Sequence, residues 1–274
     1  MRTCAALITV NDPLLMDCVL ARVRPCLDSC RGEMGSHSGA AYFDGDVPVL
    51  LMEPARGAGR PTLRLPNRVL SRQFFTCTLN GAETFRAQDT PPFRFRTWVL
   101  VSGGVLGTAA QAADQLAIPR HISRGVQGST SAEQLLHQYV SFLQSATYLA
   151  PNQRMRGYRD ALRSTLSLDD QWFPDEGSRD VTVLLGDGRR VVGATLGRPL
   201  WYEHIAGIDA CLDCGCGLDG QPLEHAGLRA TTIVDSVLKP GDGWQVIEQN
   251  HVFSVDRAGE IEIAPMSRAG GPAG

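Results

Sequence analysis

The sequence lacks a dominant charge. Its 274 residues carry a formal net charge of −3, with both signs spread along the chain and neither a basic tract nor an acidic tail. The electrostatic footprint of nucleic-acid binding is therefore missing. Long hydrophobic runs are missing as well: no stretch approaches the ~20 apolar residues that a membrane helix needs. The apolar run near the start, "CAALITV", is short and passes into Asn11-Asp12-Pro13 without a secretory cleavage pattern. The expectation is a soluble cytoplasmic protein with neither a membrane nor a nucleic acid as partner. Internal repeats and a convincing linker are also absent. One domain is thus expected over residues 4–265, with a Gly/Ala/Ser-rich flexible tail over 266–274.

Cysteine is well represented, by eight residues. In a cytosolic chain of this size they read as thiols, metal ligands or buried small residues before disulfides. Cys211-x-x-Cys214-x-Cys216, flanked by His204 and His225, has ligand spacing for one structural zinc, with a histidine or a distant cysteine as fourth ligand. No second CxxC accompanies it, and a reduced cysteine-rich loop is the competing reading. "RGAGR" and "GDGRR" lack the "GxxxxGK[ST]" frame of a phosphate loop and read as turns.

The pattern along the chain groups strands, then helices, then strands. Residues 4–10 suit a buried strand. Asn11 and Asp12 before Pro13 start a helix expected over about 13–24, with Leu15, Val19 and Val23 on one face. "GAAYFDGDVPVLLMEP" reads as a hairpin turned at Asp44-Gly45-Asp46, and "DVTVLLGDGRRVVGATLG" as one turned at Asp187-Gly188. "TWVLV" is a short strand with "SGGVLG" as its turn. Thr130 or Ser131 caps a helix with Leu135, Tyr139 and Phe142 on one face, and a second helix follows in "QRMRGYRDALRSTLSL". "LRATTIVDSVL", "WQVIEQ" and "HVFSVDRAGEIEIAP" supply further strands. This order favours layered α+β over βαβ repeats.

Five segments in order carry a resemblance: "CAALITVNDPLLMDCVLARV", "SHSGAAYF", "PPFRFRTWVLVSGG", "QGSTSAEQLL" and "IVDSVLKPGDGWQVIEQNHVFSVD". Together they resemble the class II, N-terminal nucleophile (Ntn) glutamine amidotransferases, in particular the small single-domain bacterial branch that includes the hydrolase of ergothioneine synthesis. The resemblance implies a four-layer αββα sandwich, two antiparallel sheets between helical layers. It implies that Cys4 is the nucleophile once residues 1–3 are removed. Its freed α-amine, titrating near ~7.7–8.0, would then be the base. The competing reading makes Cys4 a buried strand residue.

The same resemblance places the other site candidates. Gly39 takes the position of a backbone oxyanion donor, with His37 beside it. Ser102-Gly103-Gly104 takes the place of a "HNG" turn, so Gly103 stands where an asparagine amide would donate. Losing one such donor costs ~2.7–4 kcal/mol. The Ser102 hydroxyl or an N–H of the Gly-Gly pair could compensate, or the segment is a plain turn. For the substrate, Phe75 falls at the arginine that would hold an α-carboxylate, with Arg72 three residues back. Ser131 replaces the aspartate that would hold an α-ammonium. Arg72, Gly104 and Ser131 are thus the substrate-binding candidates. Two expectations follow. One is a cysteine-dependent hydrolase of a small-molecule amide, glutamine or γ-glutamyl in type, needing no cofactor beyond the possible zinc. The other is a catalytically degenerate relative that binds a small molecule or serves a partner synthase or other biosynthetic enzyme.

Overall fold

The computed structural model describes residues 2–30, 35–54, 66, 68–80, 86–104, 124–146, 154–172, 180–209, 211–216, 222–223, 225–235 and 240–266. In chain order, β1 (Arg2–Val10) leads through a one-turn 3-10 helix into α1 (Met16–Cys30). Then come β2 (Gly35–Asp44), β3 (Val47–Pro54), β4 (Gln73–Asn80), β5 (Phe93–Phe95) and β6 (Trp98–Gly104). Two helices follow, α2 (Ser131–Ala146) and α3 (Arg154–Trp172). The chain returns to strands with β7 (Val181–Gly186), β8 (Val191–Leu196), β9 (Leu200–Ala206), β10 (Cys211–Cys216) and β11 (Pro222–Leu223). It closes with β12 (Arg229–Val234), β13 (Gln245–Ile247), β14 (His251–Val255) and β15 (Ile261–Pro265).

Two sheets carry the fold, both antiparallel. One has seven strands in the order β13-β9-β12-β1-β4-β2-β3, and the other six in the order β15-β14-β8-β7-β6-β5. Strand alternation sorts side chains into layers. On β1, Ala5 and Leu7 enter the core between the sheets, with Phe75, Val99, Val101 and Leu184. Ala6, Ile8 and Val10 face the other way, onto Met16, Val19, Leu20, Val23 and Leu27 of α1. On the far side Leu100, Val183 and Leu185 meet Leu136, Tyr139 and Leu162 of α2 and α3. The layers are therefore α1, seven-stranded sheet, six-stranded sheet, α2/α3: the α+β, αββα sandwich that the resemblance implies.

Local chemistry explains the boundaries. Asp12 Oδ1 accepts the Leu14 N–H at 2.9 Å, and Pro13 needs no partner there. The helix then runs through Pro25 to Cys30 rather than ending near residue 24, and Leu27 still packs on the sheet. Thr130 caps α2 through the Glu133 N–H, while the Glu133 carboxylate accepts from Gln127 N (2.8 Å) and Gly128 N (2.7 Å). Both expected hairpins form, with Gly45 and Gly188 at positive φ in the turns. Ser102-Gly103-Gly104 is not a turn: β6 continues through it, paired with Val183, Thr182 and Val181.

Candidate site around Cys4

Cys4 lies near the start of β1, opposite Thr78 of β4. Its half-buried thiol donates to the carbonyl oxygen of Asp235 at 3.0 Å. Asp235 directly follows β12, and its N–H donates to Ala5 O at 2.9 Å, extending the β1–β12 ladder by one residue. The carboxylate of Asp235 continues the face of Ile233, toward the six-stranded sheet. There it forms an ion pair with Arg198, whose Nε also lies 2.9 Å from Asp180 Oδ1. Asp235 is almost wholly buried, its side chain 1% exposed against 12% for Arg198 and 41% for Asp180. One guanidinium thus serves two carboxylates, one interior and one at the surface. The Thr195 hydroxyl donates to the Arg198 carbonyl and holds that turn.

Gly103 completes this wall. It shares the inward face of Val99 and Val101, and a Cβ built on it overlaps Asp235 Oδ2 and stands 2.7 Å from Arg198 Nη2. The space that a larger residue at 103 would need is filled by the Asp235–Arg198 pair. Ser102 sits on the opposite strand face, with Leu100 and Trp98, so alternation separates its hydroxyl from this wall. Gly104 ends the strand at φ 82°, packed against the Asp180 backbone.

Gly39 is held differently. A Cβ there would press on Pro91 O and stand 2.5 Å from Pro92 Cδ, across the cis Pro91-Pro92 bond. Its strand is paired on both edges, to β3 and β4, so its backbone groups belong to the sheet. Beside it Cys77 donates weakly to Pro91 O at 3.3 Å, and burial pushes this thiol up to about 12. Cys77 therefore stays protonated at neutral pH and is not a competing nucleophile. His37 is buried on the same strand.

One substrate candidate, Arg72, does not join Cys4. Arg72 is exposed, and its carbonyl accepts the Val10 N–H at 2.9 Å, at the other end of β1. Six strand residues separate its level from that of Cys4, or about 20 Å. It lines an open cleft with Asp46, Arg189 and Arg257 instead. Phe75, three residues on, is a core residue between the sheets. Ser131 begins α2, a helix docked through Asp89, which accepts the Ser129 N–H at 2.7 Å. Of the zinc candidates, Cys211 is buried at the start of β10, and the side chains of Cys214 and Cys216 lie outside those described. His204 is exposed and engaged with Thr231 Oγ1 at 2.9 Å, whereas His225 lies close to Cys18 of α1.

Asp235 and Arg198 are the residues that sequence reasoning missed. Their signal was the lone acid that ends the apolar strand "ATTIV", which requires a cation once buried.

No protein-family model matches the sequence, and no curated protein matches it. Solved structures do. A glutamine aminotransferase class-II domain protein from Silicibacter pomeroyi superposes with a TM-score of 0.53 at 14% identity, over 97% of this chain and 99% of that one. A predicted glutamine amidotransferase from Pseudomonas aeruginosa gives 0.57 at 14% identity, over 95% and 99%. Glutamine phosphoribosylpyrophosphate amidotransferase from B. subtilis gives 0.54 at 14%, over 96% of this chain and 49% of that one. The chain has the fold of class II glutamine amidotransferase domains. Among the described residues no helix is long and apolar enough to cross a membrane.

Proposed function

We propose that this chain is a class II glutamine amidotransferase-like protein that, with Arg2 and Thr3 still ahead of Cys4, does not hydrolyse glutamine and acts as a small-molecule-binding or accessory partner of a biosynthetic enzyme. The observation that carries this reading is the Asp235 carboxylate, paired with Arg198 and packed against Gly103. Position 103, where the resemblance puts an amide donor, is packed against that carboxylate and has no room for an amide side chain. The separation of Arg72 from Cys4 supports it, since the arginine expected to hold an α-carboxylate is at the far end of β1. Diazo-oxo-norleucine tests it: the expected result is no labelling of Cys4 and no ammonia release from glutamine. Rapid alkylation at Cys4 overturns the reading.

A second reading is favoured by the half-buried Cys4 thiol at a strand start. Cleavage of the Thr3–Cys4 bond frees an amine that takes the thiol proton as sulfur attacks an amide carbonyl. The amine passes that proton to the leaving ammonia or amine, and water hydrolyses the thioester. Intact mass of the protein from its native source decides it. A chain beginning at Cys4 supports this reading, and one that always retains Arg2 and Thr3 removes it.

A further inference from the structure

We infer that Cys18, Cys211 and His225 form a zinc site that pins the two-stranded β10–β11 unit to helix α1. The three residues come from separate parts of the chain: α1, the first residue of β10, and the segment just after β11. Their ligand atoms nevertheless lie within 4.8 Å of one another. Cys18 Sγ and His225 Nε2 are 3.6 Å apart. Zinc with Zn–S of about 2.3 Å and Zn–N of about 2.0–2.1 Å, at a tetrahedral angle, sets sulfur and nitrogen about 3.6 Å apart and two sulfurs about 3.8 Å apart. An ion fits with little rearrangement. A thiol–imidazole hydrogen bond alone explains the Cys18–His225 distance, but not why a second buried thiol converges on the pair.

The surroundings favour a built site. Cys18 and Cys211 are each only 3% exposed, while His225 is half-buried. The His225 backbone is fixed on both sides: its N–H donates to Ile208 O at 2.9 Å, and its carbonyl accepts from Leu228 N at 3.0 Å. The backbone that carries the ring is therefore positioned before any ion arrives, which lowers the ordering cost of binding. Two thiolates and one imidazole are the donor set of borderline-soft zinc rather than of calcium or magnesium. Binding releases the thiol protons to solvent and involves no redox step.

The test is metal analysis of the full chain purified under reducing conditions without chelator. One zinc per chain is expected, falling well below that in C18S and in H225A and remaining in C26S, whose sulfur lies elsewhere on α1. Because a ligand variant can fail to fold, cobalt(II) is also titrated into chelator-treated wild-type protein. Thiolate-to-cobalt charge transfer with tetrahedral d–d bands, saturating at one equivalent, supports the site. Folded wild-type protein that neither carries zinc nor gives the cobalt bands overturns the proposal. So does full zinc retention in both C18S and C211S, or a Cys18–Cys211 disulfide in the intact mass of the native protein.

Discussion

The two ends of β1 each hold an arginine–aspartate pair, and the pairs differ in everything except chemistry. At the Cys4 end Arg198 meets Asp235 with side chains 12% and 1% exposed. At the Val10 end, beside Arg72, Arg189 meets Asp46 at 2.7 Å with side chains 51% and 63% exposed. Water screens the second pair and competes for its hydrogen bonds, so its contribution to folding is small. The first pair lies between two sheets, and Asp235 cannot lose Arg198 without leaving a charge in the interior. The same bond type is thus dispensable at one end and structural at the other. The structural one involves Asp235, whose backbone carbonyl accepts from the Cys4 thiol.

The comparison can be broken most directly by R198A. We expect a loss of about 3–5 kcal/mol in chemical denaturation, because Asp235 is left buried without its cation. D235N in the same background should recover part of it. A fall under ~1 kcal/mol would show the buried pair to be as dispensable as the exposed one.

G103A should cost about 1–3 kcal/mol through overpacking against Asp235. In a D235A background the cost should shrink by more than ~0.5 kcal/mol, the coupling of residues in contact. Additive costs would mean that Gly103 does not pack on that carboxylate. Next in size is an alkaline effect. Cys77 is raised by burial from 9.0 to about 12, and burial also raises Tyr139 and Tyr202. Unfolding releases these groups to ionise at their ordinary values, so stability is intact below about pH 9 and declines as pH rises toward 12. Thermal melts across this range should show that decline, weaker in C77A. The smallest effect is expected from R189A, whose melting temperature should match wild type in high salt.

Much of the fold was legible because local chemistry and tertiary packing agree. The Asp-Gly turns at 44–46 and 187–188 and the Leu135/Tyr139 face appear where the pattern places them, and of the two offered caps, Thr130 and Ser131, Thr130 makes the bond. Strand β9 was not legible. "LWYEHIA" mixes a charge and a histidine into its pattern and follows Gly-Arg-Pro, yet it pairs with both β12 and β13. The site was read less well than the fold. Arg198 and Asp235 are 37 residues apart and meet only because two sheets stack, an arrangement no local period encodes. The glycine pair at 103–104 suggested a turn because glycine is common there. Here Gly103 stays in a strand and leaves room for a side chain from the opposite sheet.

Backbone pairing ahead of Cys4 has a kinetic consequence. Arg2 and Thr3 lie opposite Asn80 and Leu79 of β4, so the bond before Cys4 is part of a hydrogen-bonded strand. On the other edge, among the described residues, β12 pairs as far as Ala6, and Asp235 adds one bond to Ala5. A processing enzyme binds an extended, unpaired segment, so it must wait for this strand end to fray. The rate of unmasking Cys4 would then follow the opening equilibrium of a few residues. The sheet edge, as much as the protease, would set that rate.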